Sequence, residues 1–405
     1  MSMRETYTRP LTFATIEPDK ALSTVLKQTP KEVIEGVKKS GLKGRGGAGF
    51  PTGMKWQYAA EKQDKGKVVV CNADEGEPGT FKDRVLITKF SNLLLEGMTI
   101  GAYAIGAERG IIYLRGEYAY LRDHLQAEIN KLVQTHRMGS KIKGVDGFNF
   151  DVEIRMGAGA YVCGEETALI ESLEGYRGEP RNRPPFPVNT GFMGHATIVN
   201  NVETFAWVTC IFEKGPDWFR NHGTVRSTGN KLFSVSGDCE QPGVFEFPLG
   251  IKVRSLLAAV GATNAKAVQI GGAAGLLIPE SEFDRTLAYE DIPTGGSIIV
   301  FGPQRDMLMV AKNFMEFFVH ESCGQCTPCR EGNEKLLEGI QLLEEGKCSM
   351  YYLQELVALG ETMRLASKCG LGQTSSNPFI SVATHFKDEI LGRTRTQADR
   401  PEKAL

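Results

Sequence analysis

No apolar run in this sequence is long enough to cross a membrane, which takes roughly 18 or more uninterrupted residues. The best candidate, Gly97 to Ala107, spans 11 residues and is closed off by Glu96 and Glu108. The opening Met-Ser-Met-Arg-Glu-Thr has no apolar core, so it does not read as a secretory signal. Neither sign of charge is in excess: 47 Lys and Arg face 49 Asp and Glu, a formal net charge of −2. General nucleic-acid binding needs a basic face to neutralise phosphates, and this balance argues against it. Internal repeats and low-complexity tracts are missing, which argues against a solenoid. The expectation is a cytoplasmic, multidomain globular protein. Its 405 residues suit two or three domains at about 150 residues each.

Two residue types are plentiful. Glycine occurs 46 times in 405 residues, against a usual share of about 7%. There are nine cysteines and no export signal. In a reducing compartment clustered cysteines read as metal ligands or redox groups before disulfides.

Along the chain, a helix is expected over 29–40, with Thr29 as cap, Pro30 in the first turn and Gly41 as stop. A glycine-rich segment, Gly41 to Gly53, follows. Strands are expected at 67–71, 110–115 and 151–155, and helices at 92–107 and 118–134. This β-then-α alternation predicts a layered α/β domain over 1–228. A smaller α+β module is expected over 229–305, with a strand pair at 231–236 and 243–247, a helix at 253–260 and strands at 267–270 and 297–301. From 306 to 392 the pattern predicts three or four amphipathic helices, and 393–405 reads as a polar, frayed tail.

Cys323-Gly-Gln-Cys326-Thr-Pro-Cys329 presents three thiols from one loop. Iron–sulfur clusters take four ligands, commonly cysteine, and such runs supply them. In the contiguous ferredoxin pattern a further cysteine follows after three residues, where this chain has Asn333. Cys348 and Cys369 are both open as the fourth ligand. Zinc usually takes paired Cys-x-x-Cys units or mixed Cys/His sets, and no histidine follows closely, so a cluster is the preferred reading.

Gly44-Arg45-Gly46-Gly-Ala-Gly49 fits G-x-G-x-x-G literally, but a helix precedes it where the dinucleotide fingerprint needs a strand. Bare backbone N–H groups can still cradle phosphate there, with Arg45 and Lys55 as nearby cations. Asp74, Glu75 and Glu77 follow a strand end, and Glu165 and Glu166 follow a glycine turn at a helix start. Strand ends are where open α/β sheets bind ligands. The bland alternatives are a solvated turn and charge complementarity to a helix N-terminus. Asn200-Asn201-Val-Glu-Thr204 adds amides and a hydroxyl, able to read a flavin ring or merely to cap a helix.

Five motifs in order carry a resemblance: Gly-Arg-Gly-Gly-Ala-Gly-Phe-Pro-Thr-Gly at 44–53, Asn-Ala-Asp-Glu at 72–75, Gly-Glu-Glu-Thr at 164–167, Asn-Asn-Val-Glu-Thr at 200–204 and Glu-Ser-Cys-Gly-Gln-Cys-Thr-Pro-Cys-Arg at 321–330. From about Gly41 to Gly392 the chain resembles the NADH-oxidising flavoprotein subunit of respiratory complex I and its relatives in NAD-linked hydrogenases and formate dehydrogenases. The resemblance implies a Rossmann-like FMN-binding first domain, a ubiquitin-like middle module and a C-terminal helical bundle with one 4Fe–4S cluster. FMN would be held by Gly44, Arg45, Gly46, Lys55, Asn72, Asp74, Glu75, Gly164, Asn200, Asn201 and Thr204, with Glu165 beside them. NAD(H) would use Phe50, Glu77, Glu166 and Phe186, with Lys55 reaching both. Glu166 and Lys55 are the implied catalytic pair, Glu166 as an orienting group near the flavin. The implied cluster ligands are Cys323, Cys326, Cys329 and Cys369.

The implied activity is hydride transfer between NAD(H) and FMN, then one-electron transfer through the cluster. Implied partners are a thioredoxin-like 2Fe–2S subunit and an iron–sulfur-rich catalytic subunit of a hydrogenase, formate dehydrogenase or complex I. A soluble hydrogenase or formate dehydrogenase is preferred over complex I. The contrasting expectation is an iron–sulfur scaffold without NADH activity. Many relatives add thioredoxin-like or ferredoxin-like domains to this core. The chain has no second cysteine cluster, so further centres are expected on other chains or not at all.

Overall fold

The computed structural model describes residues 11–392 and 394. The first ten residues and the remainder of the expected tail lie outside the described residues. Among the described residues no helix is long and apolar enough to cross a membrane.

Helices α1 (Lys20–Val25), α2 (Pro30–Ser40) and α3 (Thr52–Ala60) precede a four-stranded parallel sheet. The Thr29 hydroxyl accepts from the Glu32 N–H and the Glu32 carboxylate accepts from the Thr29 N–H, the reciprocal cap that starts α2. Gly41, in the left-handed region at φ 70°, ends it. The strands are β1 (Val68–Ala73), β2 (Arg109–Leu114), β3 (Asp151–Met156) and β4 (Thr197–Asn201), in the order β3-β2-β1-β4. Helices α4 (Lys82–Ile105), α5 (Arg122–Gln134) and α6 (Glu166–Leu173) make the crossovers; α7 (Val202–Lys214) and α8 (Pro216–Arg220) follow β4.

The run Val68-Val-Val-Cys71 lacks polar alternation because both sheet faces are covered. Val69 and Cys71 join the core of α1–α5 and α7. Val68 and Val70 pack on the other face with Ile111, Val199 and the α6 residues Ala168–Ile170.

The helix expected at 92–107 in fact begins at Lys82 and bends at Phe90. Its start is set from a distance: the Glu75 carboxylate accepts from the N–H groups of Asp83 (2.8 Å) and Arg84 (3.1 Å). A cap from another segment leaves no local signature. Farther along, α4 meets α7 so closely that a Cβ at Gly97 would sit 2.0 Å from the Phe205 carbonyl oxygen.

The middle module holds β5 (Asn230–Gly237), β6 (Gly243–Pro248), α9 (Val253–Ala259), β7 (Ala267–Ile270), β8 (Leu276–Pro279) and β9 (Ser297–Phe301). Their order is β6-β5-β9-β7-β8, with β5 and β9 parallel and the other pairs antiparallel. Strand β8 is additional to the sequence expectation; four residues ending in proline carry little signal. The last segment forms α10 (Met307–Glu321), α11 (Thr327–Glu344), α12 (Met350–Ala366), α13 (Gly370–Thr374), α14 (Asn377–His385) and α15 (Lys387–Leu391). Four are longer helices; α13 and α15, of five residues each, exceed the three or four expected.

Candidate functional site

The chain runs from β1 outward through β2 and β3, then returns to place β4 on the other side of β1. The carboxyl ends of β1 and β4 therefore flank a topological switch point, where such sheets bind ligands. Asn72 and Asn201 sit side by side there in the β1–β4 register. The Asn72 side-chain amide donates to the Gly164 carbonyl (2.8 Å), drawing the entry to α6 onto β1. From α3, the Lys55 ammonium donates to Glu166 (2.8 Å) and to the Val199 carbonyl (3.0 Å). The predicted pair Lys55 and Glu166 is thus assembled, and both side chains keep partial access to solvent.

The glycine loop lies between α2 and α3, not on a strand-to-helix turn. Its glycines serve two purposes. A Cβ at Gly49 would come within 2.4 Å of the Tyr289 ring and one at Gly53 within 2.6 Å of Lys38, so packing demands those two. At Gly44 the nearest atom would be 3.7 Å away, at Gly46 3.4 Å, at Gly47 3.7 Å and at Gly164 3.7 Å. At Gly44, Gly46 and Gly164 nothing in the protein itself forbids a side chain, whereas Gly47, at φ 119°, is required by its own backbone; the first three leave a bare concavity that a Cβ would fill. That suits a phosphorylated ligand approached by backbone, beside the amino end of α3.

Arg45 supplies no free cation to this concavity. It is fully buried, and its guanidinium donates to the carbonyls of Thr228 (2.8 Å) and Asn230 (3.0 Å). Its backbone N–H donates to the Thr204 hydroxyl (2.9 Å), which occupies Thr204 as well. The Arg45 side chain, expected as a nearby cation, fastens the loop to the middle module. Tyr289 does the same, its hydroxyl donating to the Gly44 carbonyl (2.7 Å).

The three acids after β1 divide. Asp74 has one buried carboxylate oxygen, Oδ2, with no hydrogen-bond partner, and burial lifts its pKa to about 7 against the opposing pull of Arg115. An unpaired buried oxygen at the mouth of a parallel sheet fits a ligand carrying donors, as a ribityl chain or flavin ring does. Glu75 is spent on capping α4 and on the Tyr118 hydroxyl (2.9 Å); burial raises it, too, to about 7. Its carboxylate shapes the site without facing it. Glu77 accepts from the Tyr161 hydroxyl (2.6 Å) and the Ala274 N–H (3.2 Å), which ties the acidic turn to the middle module; burial raises it to about 7.

Two further candidates are helix caps. Glu165 accepts from the N–H groups of Thr167 (2.9 Å) and Ala168 (3.0 Å) at the start of α6. Asn201 accepts from Glu203 N–H (3.0 Å) at the start of α7, while its amide donates to Asp83 (2.6 Å). Asn200 accepts from the Trp56 indole (2.9 Å). Phe50 and Phe186 are each 47% exposed, large rings left free for stacking.

Behind the loop lies a buried charge cluster that sequence reasoning missed. Glu203 meets Lys82 at 3.0 Å and Lys231 at 3.3 Å; Lys82 also meets Asp83 at 2.6 Å, and Lys231 donates to the Arg45 carbonyl at 2.9 Å. Burial would raise the Glu203 pKa, but Lys231, Lys82 and Arg45 outweigh it and hold it at about 2. Burial brings Lys231 down to about 7. Tyr161 was likewise missed, although it lies in the glycine-rich stretch before α6; its ring packs edge-on to Phe317 and Phe318 of α10.

In the helical segment, Cys323, Cys326, Cys329 and Cys369 line one pocket with Val162, Pro180 and Leu371. Cys326 is the residue before α11 and Cys369 the residue before α13, so both stand at helix amino ends. The Leu371 and Gly372 N–H groups also bond to Cys369. A Cβ at Gly372 would approach Cys329 Cβ to 2.8 Å, so glycine allows the two ligand segments to close on each other. Among the described residues no three His, Cys, Asp or Glu side chains stand close enough for a single metal ion. Four cysteines lining one hollow supply the ligand number of an iron–sulfur cluster. Cys348 is fully buried in a different core, where the helical segment packs on β7 and β8. The cysteine pocket and the crevice share one packed cluster: Val70, Val199 and Ala168–Ile170 belong with Phe318, Cys329 and Cys369.

Two family models match the chain: the Nuo51 FMN-binding domain over residues 37–210 and the NADH-ubiquinone oxidoreductase-F iron-sulfur binding region over residues 309–393. The NAD-reducing hydrogenase HoxS subunit alpha of Cupriavidus necator is 48% identical over 368 residues, 91% of this chain and 61% of that protein. The chain thus spans under two thirds of that relative. The NADP-reducing hydrogenase subunit HndC of Solidesulfovibrio fructosivorans is 43% identical, covering 91% of this chain and 77% of that one. The NADH-quinone oxidoreductase F 2 subunit of Rhizobium meliloti is 41% identical, covering 90% and 89%. A crystal structure of an NAD+-reducing NiFe-hydrogenase in the H2-reduced state matches with a TM-score of 0.90 and 42% identity, over 97% of this chain and 68% of that one. The chain belongs to the family of FMN-binding, iron–sulfur flavoprotein subunits found both in NADH-quinone oxidoreductases and, as the alpha subunit, in NAD-reducing hydrogenase.

Proposed function

We propose that the chain is the NAD(H)-oxidising subunit of a multi-subunit oxidoreductase. FMN, when bound, exchanges a hydride with NAD(H) and releases electrons singly, which a 4Fe–4S cluster can carry. The observation that carries the reading is the shared packing of the two sites: the floor of the sheet crevice and the four-thiol pocket belong to one core.

The residues divide the work. Gly44, Gly46 and Gly164 leave the backbone bare for the mononucleotide, and Asp74 offers its unpaired oxygen to a donor on it. Asn72, Asn200 and Asn201 fix the strand ends beneath it. Lys55 and Glu166 orient the dinucleotide at the mouth, and Phe50 and Phe186 stack on its adenine end. Hydride transfer requires no acid or base from the protein, so placement is its contribution. Cys323, Cys326, Cys329 and Cys369 hold the cluster.

The purified chain should be yellow-brown, with a flavin spectrum bleached by NADH and an EPR signal that grows on reduction. A brown protein unaffected by NADH would instead support the scaffold reading. Partners are proposed to be a thioredoxin-like 2Fe–2S subunit and an iron–sulfur-rich catalytic subunit of a soluble hydrogenase or formate dehydrogenase in the cytoplasm. The hydrogenase reading is favoured over complex I by the 48% identity to the HoxS alpha subunit, against 41% to the Rhizobium meliloti quinone-reducing relative. Co-purification decides between them.

A further inference from the structure

We infer that Asn333 sets the reduction potential of the cluster by donating a hydrogen bond to the sulfur of Cys329. The inference rests on the ligand set proposed above. Asn333 lies one helical turn beyond Cys329 on α11 and is fully buried. Its side-chain nitrogen is 3.4 Å from Cys329 Sγ. The Ser322 hydroxyl reaches the same sulfur at 3.3 Å.

A purely structural role accounts poorly for this side chain. Its Oδ1 is buried with no hydrogen-bond partner, so half of its polar capacity is idle while the other half faces sulfur. The amide orientation follows from the chemistry. A ligating thiolate has no proton, so a flipped amide would set two acceptors against each other. Asn333 also stands where the contiguous ferredoxin spacing would place a cysteine. The position reaches the sulfur, but it offers a donor instead of a ligand.

Donors to cluster sulfurs stabilise the reduced state, which carries one more negative charge, and so raise the potential. Asn333 is therefore a positioning and tuning residue that acts through Cys329. The test is an EPR-monitored redox titration of the purified full chain carrying its cluster. Asn333→Leu, which keeps the branched shape but has no donor, should retain its iron. Its midpoint should become more negative by about 59 mV, a tenfold change in the one-electron equilibrium. An exchangeable-proton hyperfine coupling present in the unsubstituted cluster should be lost. Asn333→Ala is the second variant should leucine overfill the site.

An unchanged midpoint and coupling in an iron-loaded variant would overturn the inference. So would loss of iron from both variants, which would make Asn333 a packing residue for the ligand loop. Failure of the cluster reading itself looks different: iron and signal would then be missing from the unsubstituted chain.

Discussion

Lys55 Nζ lies 2.8 Å from Glu166 Oε2 and 3.0 Å from the Val199 carbonyl oxygen, so one ammonium links α3, the first residue of α6 and the middle of β4 across the crevice. Glu166→Gln removes the charge that holds it. NADH-dependent reduction of an artificial one-electron acceptor should fall about 10²-fold in kcat/KM, the scale set by small misplacements of a reacting group. Iron and flavin content should be unchanged. Loss of the cluster in this variant would contradict the assignment.

Cys369→Ser should lower iron content and change the reduced EPR spectrum, because Cys369 shares the pocket of the Cys323–Cys329 loop. Cys348→Ser should leave both intact, since Cys348 is sealed in another core. Iron quantitation on the two variants separates them.

Glu203→Gln takes the carboxylate from buried Lys231 and leaves buried Lys82 with Asp83. Breaking such a cluster from one side should cost roughly 3–5 kcal/mol in urea unfolding. The acid limb should change as well. The folded pKa of Glu203, about 2, lies below its ordinary 4.5. Its contribution is complete above the unfolded pKa and fades as pH falls from about 4.5 toward 2. The Gln variant should lose that part of the slope.

Asp74, Glu75 and Glu77 act in the opposite direction, with folded pKa values of about 7 against ordinary values of 3.8 or 4.5. Between those limits the folded chain binds more protons than the unfolded one, so stability falls as pH rises. The ligand-free chain should be more stable near pH 5 than near pH 8 by this contribution. Glu77→Gln should flatten the decline by roughly 1–3 kcal/mol, read from urea midpoints at the two pH values.

Gly97→Ala inserts a methyl group 2.0 Å from the Phe205 carbonyl, where α4 and α7 touch backbone to backbone. Neither helix can yield cheaply, and a loss of about 3 kcal/mol is expected, the upper part of the overpacking range. Thermal unfolding would show it as a fall in Tm.

Where order is local, the sequence discloses it. The cap, stripe and glycine stop of α2 sit within a dozen residues, and the Val68–Cys71 run announces a strand covered on both faces. The Cys323–Cys329 spacing likewise declares its chemistry. Order set by tertiary partners stays hidden. The start of α4 depends on Glu75, seven residues upstream of Lys82, and the fate of Arg45 depends on carbonyls more than 180 residues away. Glu75, Glu165 and Asn201 illustrate the same limit. A carboxylate or amide at a strand end is chemically fit both to bind a ligand and to cap a helix, and only the fold shows which bonds it has formed. Lys231 begins a strand that reads as ordinary, and its burial beside Glu203 follows from how the two lobes meet.

The attachment of the Gly44–Arg45 turn to Tyr289, Thr228 and Asn230 has a practical corollary. A fragment trimmed after α8 would leave the guanidinium of Arg45 stranded and the turn without its brace, so the nucleotide lobe is not a free-standing unit. Engineers wishing to graft this chain's nucleotide crevice onto another redox assembly should transplant both lobes, with the helical segment that shares their core, as one piece.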